Sequence, residues 1–337
     1  MAVTLKDLSK YCGLSISAVS KSLNNYSDVS EETRQRVLKA ARDIGYHPNA
    51  IARGLKTNRT YNLGVILDND LQDSLLHTYF IIILNGFKRE AERRGYDITL
   101  INHNIGGQTL SYLDHCRYRN VDGVCILCVD FYNPEIQNLV QSEIPLITVD
   151  HLFSGKDCIL SDNKKGMLDL MRYIISMGHR RVAFIRGTDS AVTDARLTAY
   201  WDAVHEYGLE VPPYYAVASH YHSTRRVMED TKKLLSSPVP PTCILMPDDY
   251  SALGGMDAIR QMGLRVPEDI SIAGYDGISL IQKIHPLLTT VRQDGEEIGR
   301  QAAIRLLSRV SDPLETQSRP IIVPGELLSG ETVRRLN

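Results

Sequence analysis

From residue 63 to residue 275, short apolar runs rich in β-formers alternate with stretches of helical period, and this rhythm constrains the fold more than any other feature of the chain. Strand-like runs fall at 63–67, 98–101, 123–129, 145–149, 182–185, 243–246 and 270–275. Between them lie helical patterns at 110–119, after Pro134, at 195–206 and at 250–262. Parallel strands need a crossover about as long as a helix, so this alternation predicts a parallel sheet covered by helices on both faces. The rhythm restarts after Gly178, and 337 residues exceed what one core organises, so we expect two similar α/β lobes rather than one large sheet. Ligands of doubly wound sheets bind outside the carboxyl ends of the strands, which makes the cleft between the lobes the expected small-molecule site.

The first 61 residues follow a different period. Leu5, Leu8 and Cys12 share one helical face, Gly13 interrupts it, and Ser15 can cap a second helix carrying Val19 and Leu23. Ser30 then caps a third helix whose stripe of Val37, Leu38, Ala41 and Ile44 ends at Gly45. A helix-capable stretch at 49–56 and a polar run to Tyr61 suggest a hinge. The net charge of −2 hides an asymmetry: residues 1–61 hold ten Lys/Arg against five Asp/Glu, leaving 28 against 35 in the remainder. The basic end is where a polyanion would bind.

Several function classes lose their footing. No apolar run approaches the roughly 18 residues of a membrane span, and charged residues stand where a secretion signal needs an apolar core, so a cytoplasmic protein with no membrane partner is expected. No Gly-rich phosphate loop and no G-x-S-x-G elbow is present. The six cysteines are scattered; Cys125 and Cys128 form a C-x-x-C, but their odd separation on a strand points them to opposite faces, so free buried thiols are expected rather than a metal site. No cofactor is expected.

At two stretches, 3–21 and 43–55, the chain closely resembles the lac and galactose repressor family: Val3-Thr4-Leu5-Lys6-Asp7-Leu8 through Val19-Ser20-Lys21, and Asp43-Ile44-Gly45-Tyr46-His47-Pro48-Asn49-Ala50-Ile51-Ala52-Arg53-Gly54-Leu55. The likeness continues through Val121-Asp122-Gly123-Val124, Gly178-His179-Arg180-Arg181-Val182-Ala183, 264–271, Gly274-Tyr275-Asp276 and Leu288-Thr289-Thr290-Val291. It implies an all-α helix-turn-helix domain at 1–47, a hinge helix and linker at 48–61, and a two-lobed, type I periplasmic-binding-protein-like α/β domain at 62–337. Function follows as expectation: a regulator, a repressor by this reading, that binds a pseudo-palindromic operator as a homodimer under the control of a small molecule. No heptad tail follows Glu331 to extend the dimer.

In such a protein the second helix lies in the major groove, which implies Ile16, Ser17 and Lys21 as base readers. Lys21 can donate to guanine acceptors, whereas Ser17 tolerates several bases and Ile16 makes only apolar contact. Thr4, Ser15, Ser20, Asn24 and Thr33 join the implied DNA-contacting set, although capping alone accounts for Ser15, and a solvated helix face is the plain alternative for the others. In the hinge, Leu55 is the implied minor-groove wedge, Ala52 allows two hinge helices to approach, and Asn49, Arg53 and Lys56 lie near phosphates or the groove floor.

For the cleft, the resemblance implies Arg196, whose fork suits vicinal hydroxyls or a carboxylate, with Asp150, Asp249 and Asp276 as acceptors. Tyr79, Phe80 and Tyr221 are candidates to close the site by stacking, or to serve as core. Ala199-Tyr200 stands where the family usually has Gly-Phe. The effector is expected to be a sugar or sugar derivative, with a purine as the alternative. Two other classes compete: a sugar-binding module, which leaves residues 1–61 without purpose, and an α/β enzyme using Asp248 and Asp249 as acid and base, which lacks an activated nucleophile, a metal cluster and a phosphate loop.

Overall fold

A computed structural model describes residues 3–24, 26–47, 59–67, 78–312 and 318–336. The chain divides into two compact units, Met1–Tyr61 and Asn62–Asn337.

The first unit holds α1 (Leu5–Cys12), α2 (Ile16–Leu23) and α3 (Glu31–Asp43). Thr4 opens α1 with a capping box shared with Asp7, and Gly13 closes it at φ 63°, a left-handed position that a side chain would strain. The Ser15 hydroxyl accepts from the Ala18 amide at 3.1 Å, and Ser30 does the same for Thr33 at 3.3 Å. The three helices close over Leu8, Cys12, Val19, Val37, Ala40 and Ala41. Leu38, expected in the stripe of α3, is instead 36% exposed: the inward face of that helix runs through Val37, Ala40 and Ala41, one position away.

The second unit consists of two α/β lobes. Lobe 1 has the strand order β13-β7-β6-β5-β1-β2, all parallel, formed by β1 (Asn62–Ile66), β2 (Asp97–Ile101), β5 (Gly123–Ile126), β6 (Leu146–Val149), β7 (Asp157–Ser161) and β13 (Pro320–Val323). A short ribbon, β3 (Asn104–Ile105) with β4 (Gln108–Thr109), stands apart from it. Its helices are α4 (Thr78–Arg93), α5 (Tyr112–Arg119) and α6 (Pro134–Val140).

Lobe 2 repeats the design as β14-β12-β11-β10-β8-β9, from β8 (Val182–Arg186), β9 (Ala216–Ala218), β10 (Cys243–Leu245), β11 (Ser271–Asp276), β12 (Thr289–Arg292) and the antiparallel edge strand β14 (Glu326–Leu328). Around it lie α7 (Asn163–Ser176), α8 (Ala191–Glu206), α9 (Thr224–Leu235) and α10 (Asp249–Gln261). The remaining helix, α11 (Gly295–Ser311), packs against α4 and the sheet of lobe 1. The chain therefore passes between lobes three times: from β7 to α7, from β12 to α11 and from β13 to β14.

In each lobe the strand order reverses at one strand, β1 between β2 and β5 and β8 between β9 and β10, so the crevices at the carboxyl ends open there. Lobe 2 buries apolar side chains on both faces of its sheet, with Phe184, Tyr200 and Tyr275 on one side and Tyr215, Ile244 and Ile272 on the other. Ala199 and Tyr200 belong to that core, and the Tyr200 hydroxyl donates to the Val182 carbonyl at 2.8 Å, so this departure from the family pattern changes packing inside the lobe. All six cysteines are free and buried. The strand expected at 123–129 stops at Ile126, and Cys128 lies beyond it at φ 53°, so the opposite-face argument does not describe that residue.

Candidate functional sites

On the N-terminal unit, the capping that fixes α2 also decides which residues face outward. Val19 and Ser22 turn into the core, while Ile16 is left 47% exposed with Ser17 beside it. Ile16 therefore presents about half of its apolar surface to solvent at the start of α2. Lys21, on the same helix, pairs with the Asp28 carboxylate, which holds the ammonium charged and pushes its pKa up. Both partners stay about half exposed, so water screens the pair and a phosphate or a base edge can replace Asp28 at little cost.

The other implied contacts have local partners. Asn24 donates to the Ser20 carbonyl at 2.7 Å, the Thr33 hydroxyl lies 2.9 Å from that of Ser30, and the Thr4 hydroxyl donates to Asp7 at 2.6 Å. Two exposed aromatics were passed over in the sequence reading: Tyr11, 61% exposed at the end of α1, and Tyr26, 50% exposed after α2. Aromatic side chains left outside so small a core were the available signal. Asn49, Ala52, Arg53, Leu55 and Lys56 lie outside the described residues.

Between the lobes, the site is built around Arg196. It projects from α8, is only 3% exposed, and lies flat over the Tyr275 ring with its guanidinium carbon 3.5 Å from the centroid. Its Nε donates to Asn163 Oδ1 at 2.7 Å and one terminal nitrogen donates to the Pro247 carbonyl at 3.0 Å. Burial works against its charge, but the oxygens of Tyr221, Tyr275 and Asp276 more than offset this and its pKa is raised.

Lobe 2 also supplies Tyr221 and Asp276. The Tyr221 hydroxyl donates to Thr193 at 2.8 Å, and its ring lies so close to Gly187 that a Cβ there would sit 2.1 Å from it. Asp276 ends β11 at φ 114°, a strained position for an aspartate that persists only where the surroundings hold it. Gln293 does so, donating its side-chain amide to Asp276 Oδ1 at 2.7 Å and its backbone amide to the Asp276 carbonyl at 3.2 Å. Burial pushes the Asp276 carboxyl well up, Arg196 opposes this, and Asp248 and Asp249 add to it.

Lobe 1 answers with Tyr79 and Asp150. The Tyr79 hydroxyl donates to Asp150 Oδ2 at 3.2 Å, while Asp150 Oδ1 accepts from the Ser161 amide at 3.2 Å and φ at Asp150 is 62°. Burial raises the Asp150 carboxyl; the Ser161 amide and the Arg196 charge lower it. Arg196 thus acts electrostatically on carboxylates of both lobes, and Tyr79 senses Asp150, Asp276 and Arg196 together. Phe80 is half-buried with its ring 5.2 Å from that of Tyr79. Next to this cluster, Tyr79, Ile82, Asp276, Gln293 and the paired Arg292 and Glu326 line a hollow of about 520 Å³.

Asp249 is placed differently from the expectation. Fully buried within lobe 2, it accepts from the Ile278 amide at 2.7 Å and the Thr290 hydroxyl at 2.5 Å, so both oxygens are taken by the protein and its carboxyl, pushed up to about 7 by burial, braces the loop after β11. Asp248 is likewise spent, capping α10 through Ser251 and accepting from the His222 amide at 2.9 Å. Sequence reasoning missed Tyr275, Asn163, Thr193 and Gln293. Tyr275 was in view beside Asp276, but nothing local marks the other three.

Residues 4–49 match the family profile described as bacterial regulatory proteins, lacI family, and residues 171–333 match that of a periplasmic binding protein-like domain. The chain is 30% identical over 342 residues to the HTH-type transcriptional repressor PurR of Vibrio vulnificus (strain CMCP6), covering 99% of each chain. It is 30% identical over 326 residues to the ribose operon repressor of Escherichia coli (strain K12), covering 95% of this chain and 97% of that one. Its structure is similar to that of the lac repressor dimer bound to operator and the anti-inducer ONPF, with a TM-score of 0.81, 24% identity, and 99% and 100% of the two chains covered; this likeness establishes the fold. Among the described residues no helix is long and apolar enough to cross a membrane.

Proposed function

The chain belongs to the lacI family of bacterial regulatory proteins, DNA-binding transcriptional repressors controlled by small-molecule effectors, and from that premise we propose how its own residues divide the work. Residues 1–47 read the operator, 48–61 form the hinge and 62–337 sense the effector and dimerise. In the DNA complex α2 enters the major groove, Lys21 exchanges Asp28 for a guanine edge, and Ile16 and Ser17 contact neighbouring bases. Thr4, Ser15, Ser20, Asn24 and Thr33 set register on phosphates, while Leu55 wedges into the minor groove with Asn49, Ala52, Arg53 and Lys56 around it. Two copies on a pseudo-palindrome double the contacts. The protein acts in the cytoplasm and is not an enzyme.

The observation that carries the effector reading is Arg196, the one buried Arg or Lys among the described residues, whose charge acts on Asp150 of lobe 1 and on Asp276 of lobe 2. A ligand seated there contacts both lobes at once, so it favours one lobe arrangement over another and shifts operator affinity by that difference. Tyr79 and Tyr221 offer ring faces suited to a sugar, which is the effector class we assign. The test is selection of bound sequences from a random duplex library by the purified protein, with and without a panel of sugars and nucleobases. A pseudo-palindrome with a central pyrimidine–purine step, whose recovery changes with a sugar, is the expected result. Failure to enrich any sequence would remove the DNA-reading assignment.

A further inference from the structure

The amino ends of the parallel strands in lobe 2 lie opposite the cleft, and four arginines gather there. Arg180 and Arg181 immediately precede β8, while Arg334 and Arg335 lie on the final segment of the chain, which runs past the same strand ends. Buried His179 joins the two stretches: its Nε2 donates to the Arg334 carbonyl at 3.0 Å, and its Nδ1 lies 2.9 Å from the Thr242 hydroxyl. The Leu336 amide donates to the Met177 carbonyl at 2.7 Å, and the Arg334 amide to Ser271 Oγ at 3.1 Å. All four arginine side chains are exposed on backbone that is held in place.

Their charges are not spent inside the molecule. Arg172, Arg225, Arg260, Arg265 and Arg292 of the same lobe are exposed and ion-paired. Among the described residues Arg180, Arg181, Arg334 and Arg335 form no ion pair, and Arg180 reaches only the Ile175 carbonyl, at 3.5 Å, at the end of α7. In the segments leading into these strands, Glu206 and Glu331 are taken by Arg172 and His285, and Asp269, which Arg334 also influences, by Arg265. Glu210 and Glu268 remain against the four arginines.

Two features say what kind of anion fits. Tyr214 and Val239, 43% and 40% exposed, lie on the segments before β9 and β10. The Tyr215 hydroxyl donates to the Val239 carbonyl at 2.9 Å, and the Tyr214 ring lies 5.5 Å from that of Tyr215. The Arg181 charge acts on Tyr215, and the Arg181 carbonyl accepts from the Thr242 amide at 2.8 Å. An exposed aromatic beside unpaired arginines has the composition of a protein contact. The second feature is the direction of the helices. α7, α8, α9 and α10 each end where the chain turns into the next strand, so their carboxyl termini, with their partial negative charge, lie at this same end. A phosphate backbone offers acceptors only and is repelled by those carbonyls, whereas a peptide brings carboxylates for the arginines and N–H donors besides. A second copy of the chain docked face to face would set arginines against arginines.

We propose that this end of lobe 2, opposite the cleft, is a docking surface for an acidic segment of a partner protein, whose carboxylates engage Arg181, Arg334 and Arg335 while an apolar side chain covers Tyr214 and Val239. The proposal goes beyond operator and effector binding and depends on the residue assignments of neither. A protein bound there leaves the cleft open to the effector.

Fluorescence anisotropy of labelled peptides with the full chain tests it. One set of peptides alternates acidic residues with Leu, Phe or Tyr, and a matched set has every acid replaced by its amide. The acidic peptides are expected to bind at least about tenfold more tightly than their amide counterparts, with the difference shrinking near about 0.5 M salt. Arg181→Glu combined with Arg335→Glu is expected to weaken the acidic peptides at least about tenfold while melting temperature and operator affinity stay at their parental values. If that reversal unfolds the lobe, Arg181→Gln with Arg335→Gln, which only removes charge, is expected to weaken them at least about threefold. Equal binding of acidic and amide peptides, no binding by any acidic peptide, or unchanged affinity in a folded variant overturns the proposal. A duplex without operator sequence that loses more affinity in the variant than the peptides do overturns it in favour of a nucleic acid.

Discussion

The face of α2 and the cleft around Arg196 are both recognition surfaces, yet they are made in opposite ways. On α2 the side chains that matter are in water: Ile16 is 47% exposed and Lys21 is held by one exposed carboxylate. In the cleft Arg196 is 3% exposed and its hydrogen bonds to Asn163 and Pro247, like that of Gln293 to Asp276, are buried. A polyanion recruits by long-range field and tolerates loosely held cations, whereas a small neutral molecule can be recognised only where water has been excluded and donors and acceptors are already aimed. The cost of error scales accordingly: an unpaired group in the cleft is expensive, and an unpaired group on α2 is hydrated.

The largest effect is expected from Arg196→Ala, which removes the buried cation that acts on both the Asp150 and the Asp276 carboxyls. Stability should fall by about 3 kcal/mol or more and effector affinity by on the order of 100-fold, read by melting temperature and calorimetry; Arg196→Lys tests charge without the planar fork. Near-normal effector binding by folded Arg196→Ala would erase the contrast between the two surfaces.

On the exposed side, Lys21→Ala should lose about tenfold discrimination at one base of each half-site, measured by binding to a complete set of single-base operator variants. A uniform loss at every site, with a salt slope shallower by about one, would reassign Lys21 to a phosphate.

A pH dependence sharpens the cleft side. Asp249 has its folded pKa raised to about 7 by burial, above its unfolded value, so the folded state holds a proton that the unfolded state releases. Its contribution to stability is fully present below the unfolded pKa and is lost as pH rises through about 7. The melting temperature of Asp249→Asn minus that of the parent should therefore rise between about pH 4 and pH 7 and level off above. A difference that falls over that window would mean the carboxylate is stabilised in its charged form.

Smallest is the effect expected for Asp28→Asn. Freeing Lys21 from an exposed pair should tighten operator binding two- to threefold at low salt, roughly, and make no difference near 0.5 M salt, where screening has already weakened the pair. A change larger than that of Lys21→Ala would make Asp28 a DNA contact in its own right.

How legible each surface was follows from how far apart in the chain its partners lie. The caps Ser15 and Ser30 and the turn at Gly13 are readable because donor and acceptor are three residues apart. Cleft residues were reached through resemblance, and two of the four missed meet Arg196 or Asp276 from a distance: Asn163 is 33 residues from Arg196 and Gln293 is 17 from Asp276. Asp249 was misplaced for the same reason, since the donors that absorb it, Ile278 and Thr290, lie 29 and 41 residues away. Leu38 shows a milder case, in which an apolar residue adjacent to the true stripe of α3 remains exposed.

Period and capping are local properties, so the sequence by itself determined that a small helical unit precedes a chain of alternating strands and helices, and which face of α2 is left outside. Tertiary structure decided which acidic side chains face the cleft and which are consumed inside a lobe. Only the three crossings between lobes bring Tyr79, Asp150, Arg196, Asp276 and Gln293 together, and burial, which sets their protonation and their unmet hydrogen bonds, exists only once those segments have met.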